Sequence, residues 1–119
     1  MKDFRTLLVW RKSHELTLLA YEVTRTFPKE ELFGLTSQIR RAASSISANI
    51  AEGCGRASNA DFSRFLQIAF GSASELDYHL ILVRDLRLLN EDKYSSLYEK
   101  LFEIKKMLSS LIRKVSAER

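Results

Sequence analysis

The chain has 119 residues with 4 glycines, 1 proline and 1 cysteine, which is one domain's worth of sequence and too few breakers for the turns of an all-β sandwich or barrel. Apolar content of 45% beside 29% charged residues excludes a disordered chain and fits a helical protein. The net charge of +4, from 19 basic and 15 acidic residues, is compatible with nucleic-acid or acidic protein partners and equally with plain solubility.

Met1–Arg5 opens no signal peptide, because the apolar run Leu7, Leu8, Val9, Trp10 stops at Arg11 and Lys12. The longest aliphatic run, Leu80 to Val83, is far short of a membrane span. A cytoplasmic protein with no membrane partner is expected, and the single Cys54 fits a reducing compartment.

The spacing predicts helix one over Leu8 to Thr26, with Leu16, Leu19, Val23 and Phe27 on one face. Pro28 closes it, because the residue before proline disfavours helical geometry. A connector to Gly34 follows. Helix two is predicted over Leu35 to Gly53, with Leu35, Ile39, Ala43, Ile46, Ile50 and Gly53 inward and a stop at Gly53 and Gly55. Ser58 with Asp61 forms a weak capping box ahead of helix three, which runs to about Leu89. Its stripe is Phe62, Leu66, Ala69, Ala73, Leu76, Leu80 and Val83. Asn90 caps helix four, and Glu91 and Asp92 complement its dipole. Leu97, Leu101, Ile104, Leu108, Leu111 and Val115 form its inner row. Short connections make neighbours antiparallel: an all-α, up-down-up-down four-helix bundle in a single domain over residues 1–119.

Two features exceed what a monomer needs. Helix three also carries Phe65, Ile68, Phe70, Ile81, Leu82 and Leu86, and helix four carries Tyr94, Tyr98 and Phe102 spaced by four. Second apolar faces imply burial in a homo-oligomer or a docking surface. The tract Ala42 to Gly53 is nearly all small, and Ala69, Gly71, Ser72, Ala73 and Ser74 answer it on helix three. Small side chains let helix axes approach, and the serines can bond across the contact. Close packing at Gly71 would justify its mid-helix cost of about 1 kcal/mol. Asn49, Glu52 and Glu75 need polar partners if buried, and Arg40 and Arg41 are nearest in sequence.

The same residues carry a family resemblance. Leu8–Trp10, Phe27–Leu35, Gln38–Ile46, Asn49–Gly53 and Gly71–Leu76 resemble the bacterial 23S rRNA-intervening-sequence proteins, also labelled S23 ribosomal proteins. The likeness runs from Phe4 to about Ile112. It implies an up-and-down four-helix bundle assembled as a ring-like homopentamer. It also implies a distant likeness to the basic pentameric accessory protein of diversity-generating retroelements, which engages reverse transcriptase and nucleic acid. The family name records genetic location, not a biochemical activity. The helix-packing or oligomer motif is accordingly expected at Arg40, Arg41, Asn49, Glu52, Gly53, Gly71 and Glu75.

Catalytic chemistry has little to stand on. His14 and His79 lie on different helices, and Glu75 with His79 is not repeated as a di-iron bundle requires. A surface or rim His79 paired with Glu75 is expected, with no metal and no cofactor. Cys54 has no partner cysteine and no evident base. Gly53–Arg56 follows a helix instead of a strand, so it is not a phosphate loop. No enzyme is expected.

The basic surplus sits on the first and last helices. Lys2, Arg5, Arg11 and Lys12 cluster at the start, and Lys105, Lys106, Arg113 and Lys114 near the end. Antiparallel packing would bring them into one patch, interleaved with Glu15, Glu99 and Glu103. Around a pentamer, +4 becomes about +20, enough to bind RNA or DNA by counterion release. The expected role is a non-enzymatic homo-oligomeric adaptor for nucleic acid, RNA above all, with a protein partner as a further expectation. The alternative is a protein-interaction scaffold with no nucleic-acid role.

Overall fold

The computed structural model describes residues 2–118. Four helices account for most of them: α1 over Leu8–Thr24, α2 over Ser37–Cys54, α3 over Asn59–Asp85 and α4 over Glu91–Ala117. They run up, down, up and down in a rod of 46 × 23 × 20 Å. Each packs on its neighbour in sequence, and α1 closes the bundle against α4. Among the described residues no helix is long and apolar enough to cross a membrane.

The inner rows are where the periodicity puts them. All seven stripe residues of α3 are buried, as are Ile39, Ala43, Ile46, Ile50 and Gly53 of α2 and Leu97, Leu101, Ile104, Leu108 and Val115 of α4. Each fully buried leucine or isoleucine contributes about 1.5–3 kcal/mol relative to exposure. Leu19, Leu35 and Leu111 are only half-buried at the edge of the core. Hydroxyls join α1 to α2 inside it. Thr17 Oγ1 donates to the Ala43 carbonyl at 3.1 Å, and Ser47 Oγ to Ser13 Oγ at 3.0 Å.

Both predicted N-caps form. Asp61 N–H donates to Ser58 Oγ at 3.1 Å, and Lys93 N–H to Asn90 Oδ1 at 2.8 Å. The Asp61 carboxylate turns to Arg64 at 3.7 Å, so the weak capping box serves through its serine.

Three boundaries differ from expectation. Helix α1 ends at Thr24, earlier than Thr26, and Phe27 folds back into the core. Helix α2 starts at Ser37, after a π-helical turn over Leu32–Thr36 in which Gly34 leaves helical geometry at φ −111° and ψ −112°. There Glu31 Oε1 accepts from Leu35 N–H at 3.2 Å and does the capping. Helix α3 ends at Asp85, short of Leu89, because Arg87 takes φ 63°. Leu88 N–H then reaches back to Val83 O at 2.9 Å, a Schellman closure made without glycine. At the other end α2 stops on Gly55, while Gly53 lies within the helix.

Candidate nucleic-acid and assembly surface

Lys12 Nζ lies 2.9 Å from Glu103 Oε1 and ties the first half of α1 to the middle of α4. The carboxylate, by hydrogen bond and then by charge, raises the Lys12 pKa above the ordinary lysine value. Beside this bridge the two helices leave an open groove of about 700 Å³. Its apolar lining includes Leu7, Leu8, Val9, Phe102, Met107 and Leu111, and its polar lining is Glu99, Glu103, Lys106, Ser110 and Lys114. Leu8 and Phe102 are each 50% exposed there.

The eight nominated cations do not form one patch. Lys106 and Lys114 share the groove with the start of α1. Lys12 borders it but is held by Glu103. Lys105 turns the other way, to Asp77 of α3 at 3.4 Å with its ammonium 5.3 Å from the Phe70 ring centre. Arg113 lines a separate shallow groove between α3 and α4, with Gln67, Phe70, Gly71, Ser109 and Ile112. Arg5 is paired with Asp3 at 3.2 Å. Lys2 sits at the α2–α3 turn, its N–H donating to Cys54 O at 3.0 Å and its ammonium 5.8 Å from the Phe62 ring centre. Arg11 is exposed. Helix registers, which sequence proximity does not report, divide the charge and neutralise part of it.

The small-residue tract does bring α2 and α3 together. Ser45 Oγ and Ser72 Oγ are 2.8 Å apart, and Asn49 Nδ2 donates to the Ser45 carbonyl at 2.8 Å and hydroxyl at 3.0 Å. A Cβ added at Gly53 would lie 2.9 Å from Phe65 Cβ and 3.0 Å from the Phe62 ring. Gly71 is corrected: a Cβ there would meet nothing within 4 Å, so no close approach inside the chain explains this glycine. The pairings are corrected in part. Arg41 lies 3.7 Å from Glu75. Arg40 instead donates to Thr24 Oγ1 at 2.9 Å and stacks on Tyr21 of α1, and Glu52 pairs with Arg56 at 3.5 Å.

The tyrosine row of α4 is a ladder. Tyr94 and Tyr98 ring centres are 6.0 Å apart, and Tyr98 and Phe102 5.9 Å apart, with near-parallel planes. Arg84 of α3 lies over Tyr94 at 4.6 Å and Lys106 over Phe102 at 5.7 Å. Sequence spacing found the row but not its cationic ends. It also passed over Leu8 as groove lining and Phe33, 92% exposed in the π turn.

The profile of the 23S rRNA-intervening sequence protein family matches residues 5–110. The chain belongs to this family. It is similar, at 33% identity and TM-score 0.83 over 89% of this chain and 96% of the other, to a crystal structure from Bacteroides thetaiotaomicron VPI-5482. That protein is described as one of unknown function from the S23 ribosomal protein family. No curated protein sequence matches the chain.

The family description names no activity, and the similar crystal structure is of a protein of unknown function. His79 Nε2 lies 3.2 Å from Glu75 Oε2 as expected, but the residue is only 7% exposed and not on the rim. A neutral ring donating from Nε2 leaves Nδ1 as a bare acceptor, and Nδ1 has no hydrogen-bond partner among the described residues. His14 stacks on Trp10 with centroids 5.1 Å apart. Burial pushes the Cys54 thiol pKa up, with Lys2 opposing, so the thiol is a poor nucleophile at neutral pH. Among the described residues no group of three or more His, Cys, Asp or Glu is arranged to hold a metal ion.

Proposed function

We propose that this chain is a non-enzymatic adaptor that self-associates and binds nucleic acid, RNA above all, through a basic surface repeated around the assembly. The resemblance implies a pentamer. The observation that carries the reading is the α1–α4 groove. Its apolar wall at Leu7, Leu8, Val9, Met107 and Leu111 is open in the isolated chain, and a second copy seated on that wall would gain the burial that the chain alone leaves unrealised, with the groove's lysines at the edge of the contact. Lys106 and Lys114 in the same groove have no carboxylate within ion-pair distance among the described residues. Copies related by rotation would repeat them on one rim, and a polyanion would release counterions along it.

Two measurements test this. Light scattering at micromolar concentration should give a multiple of the chain mass, and a monomer overturns the assembly. Binding of labelled RNA should fall steeply with salt. Lys106→Ala and Lys114→Ala should each lower the slope of log K against log salt by about 0.7 for a single strand. No binding at low salt overturns the nucleic-acid role. One observation favours a scaffold with protein partners alone: Arg5, Lys12 and Lys105 are already bound to acids. A specific, nuclease-insensitive protein partner with no RNA binding is the outcome that reading requires.

A further inference from the structure

We infer that the pocket between the end of α1, the α1–α2 connector and the start of α2 binds a phosphate group, free or as the monoester of a small molecule, held by Arg25, Lys29 and Arg40. It lies at the far end of α1 from the α1–α4 groove and stands independently of the adaptor reading.

Among the described residues the half-buried lysines and arginines are Lys12, Arg40, Arg84 and Lys105. Lys12, Arg84 and Lys105 each have a carboxylate within ion-pair distance, and Arg40 has none. A half-buried charge without a counter-ion is costly, and an oxyanion offsets that cost. Arg40 is also held in place. Its Nε donates to Thr24 Oγ1 at 2.9 Å, its Nη2 to the Tyr21 carbonyl at 3.4 Å, and its guanidinium stacks on the Tyr21 ring at 4.7 Å. These contacts leave both Nη1 hydrogens without an acceptor among the described residues. The pocket beside it has a volume of about 230 Å³ and no acid in its lining. Arg25 and Lys29 join Arg40 there, both exposed and neither paired with a carboxylate among the described residues. Thr36 lines the pocket too, only 3% exposed, and its hydroxyl makes no hydrogen bond among the described residues. Of the acids nearby in sequence, Glu31 is taken by Leu35 N–H at 3.2 Å, and Glu22 and Glu30 are exposed and outside the lining. Cations converging on one space suit a phosphate monoester or free phosphate, which carries close to two charges and pairs its oxygens with a guanidinium fork. A nucleic-acid backbone is the poorer ligand, because its phosphodiesters carry one charge each and spread it along a chain. Pro28 and Leu32 give the organic part of a small ester an apolar wall.

The test titrates the full chain by calorimetry, at constant ionic strength, with inorganic phosphate, phenyl phosphate and acetate. The wild type should bind phosphate saturably with a Kd of about 1 mM or tighter, and acetate about tenfold more weakly. Arg40→Lys keeps the charge and loses the fork, and Arg25→Gln with Lys29→Gln removes the two exposed charges. Each variant should weaken phosphate binding about tenfold. The Arg25 and Lys29 side chains make no hydrogen bond or ion pair among the described residues, so their double variant separates binding from folding. Its melting temperature without phosphate should match that of the wild type, and the rise on adding phosphate should shrink. Phenyl phosphate bound more tightly than phosphate assigns the site to a monoester, and the reverse order assigns it to the free ion. No saturable phosphate binding at about 10 mM overturns the site. Phosphate binding that both variants retain in full overturns it as well, by placing the ion elsewhere on the chain. Acetate bound as tightly as phosphate overturns the ligand class.

Discussion

The α2–α3 seam and the α1–α4 seam are two sides of one bundle made from different materials. On the first, a Cβ at Gly53 would stand 2.9 Å from Phe65 Cβ, and serine hydroxyls meet at 2.8 Å. On the second, Lys12 and Glu103 bridge the helices and a groove of about 700 Å³ stays open beside them. Small side chains close most of this seam and leave only about 50 Å³ open, at its Gly53–Phe62 end. Bulky side chains at the start of α1 and along α4 hold the helices apart and leave Leu8 and Phe102 half-exposed. The difference teaches where to look for function: the closed side has little open surface to offer, and the open side is where the proposed nucleic-acid binding would lie.

Gly53→Ala should have the largest effect. The new methyl meets a Cβ and a ring edge, neither of which is the loose end of a flexible chain. Overpacking of this kind costs about 1–3 kcal/mol, against about 1 kcal/mol gained from alanine's helix propensity. A net loss of up to about 2 kcal/mol is expected, read by chemical denaturation. An unchanged midpoint would mean that the seam yields, and the contrast between the two sides would fail.

The fold was legible because period and punctuation agree. Every residue of the α3 stripe is buried, and Ser58 and Asn90 cap as their side chains predict. The α3–α4 turn was not, since it relies on a non-glycine residue, Arg87, at φ 63°. The site was legible only in part. Lys12 finds Glu103, and Lys105 finds Asp77, through helix registers that neither helix encodes by itself. Gly71 was misplaced although a signal existed. It lies half a turn off the row of Ala69 and Ala73, so helical phase alone turns it outward.

Gly71→Ala sharpens the comparison from the opposite direction. The position is helical, exposed and empty around the Cβ, so alanine should stabilise the chain by about 1 kcal/mol through backbone propensity. The sign is opposite to that at Gly53, and the same denaturation series measures both. A loss of stability, or a fall in assembly mass, would show that another backbone approaches Gly71. The assembly would then use the α3–α4 face as well as the groove.

The smallest effect tests what holds the open side together. Glu103 raises the Lys12 pKa, so the folded chain binds this proton more tightly than the unfolded one. The bridge's contribution is therefore full below the ordinary lysine range and is lost as pH rises through the raised value. Glu103 is exposed and Lys12 about one third exposed, so the contribution is small and fades with salt. The melting temperatures of wild type and Glu103→Gln should differ slightly at neutral pH and low salt and converge in strong alkali. No difference at any pH would mean that apolar contact alone fixes the α1–α4 spacing. Glu103 would then stand beside Glu99 as a second acid free to repel a polyanion, and the groove would lose the charge balance on which its proposed ligand depends.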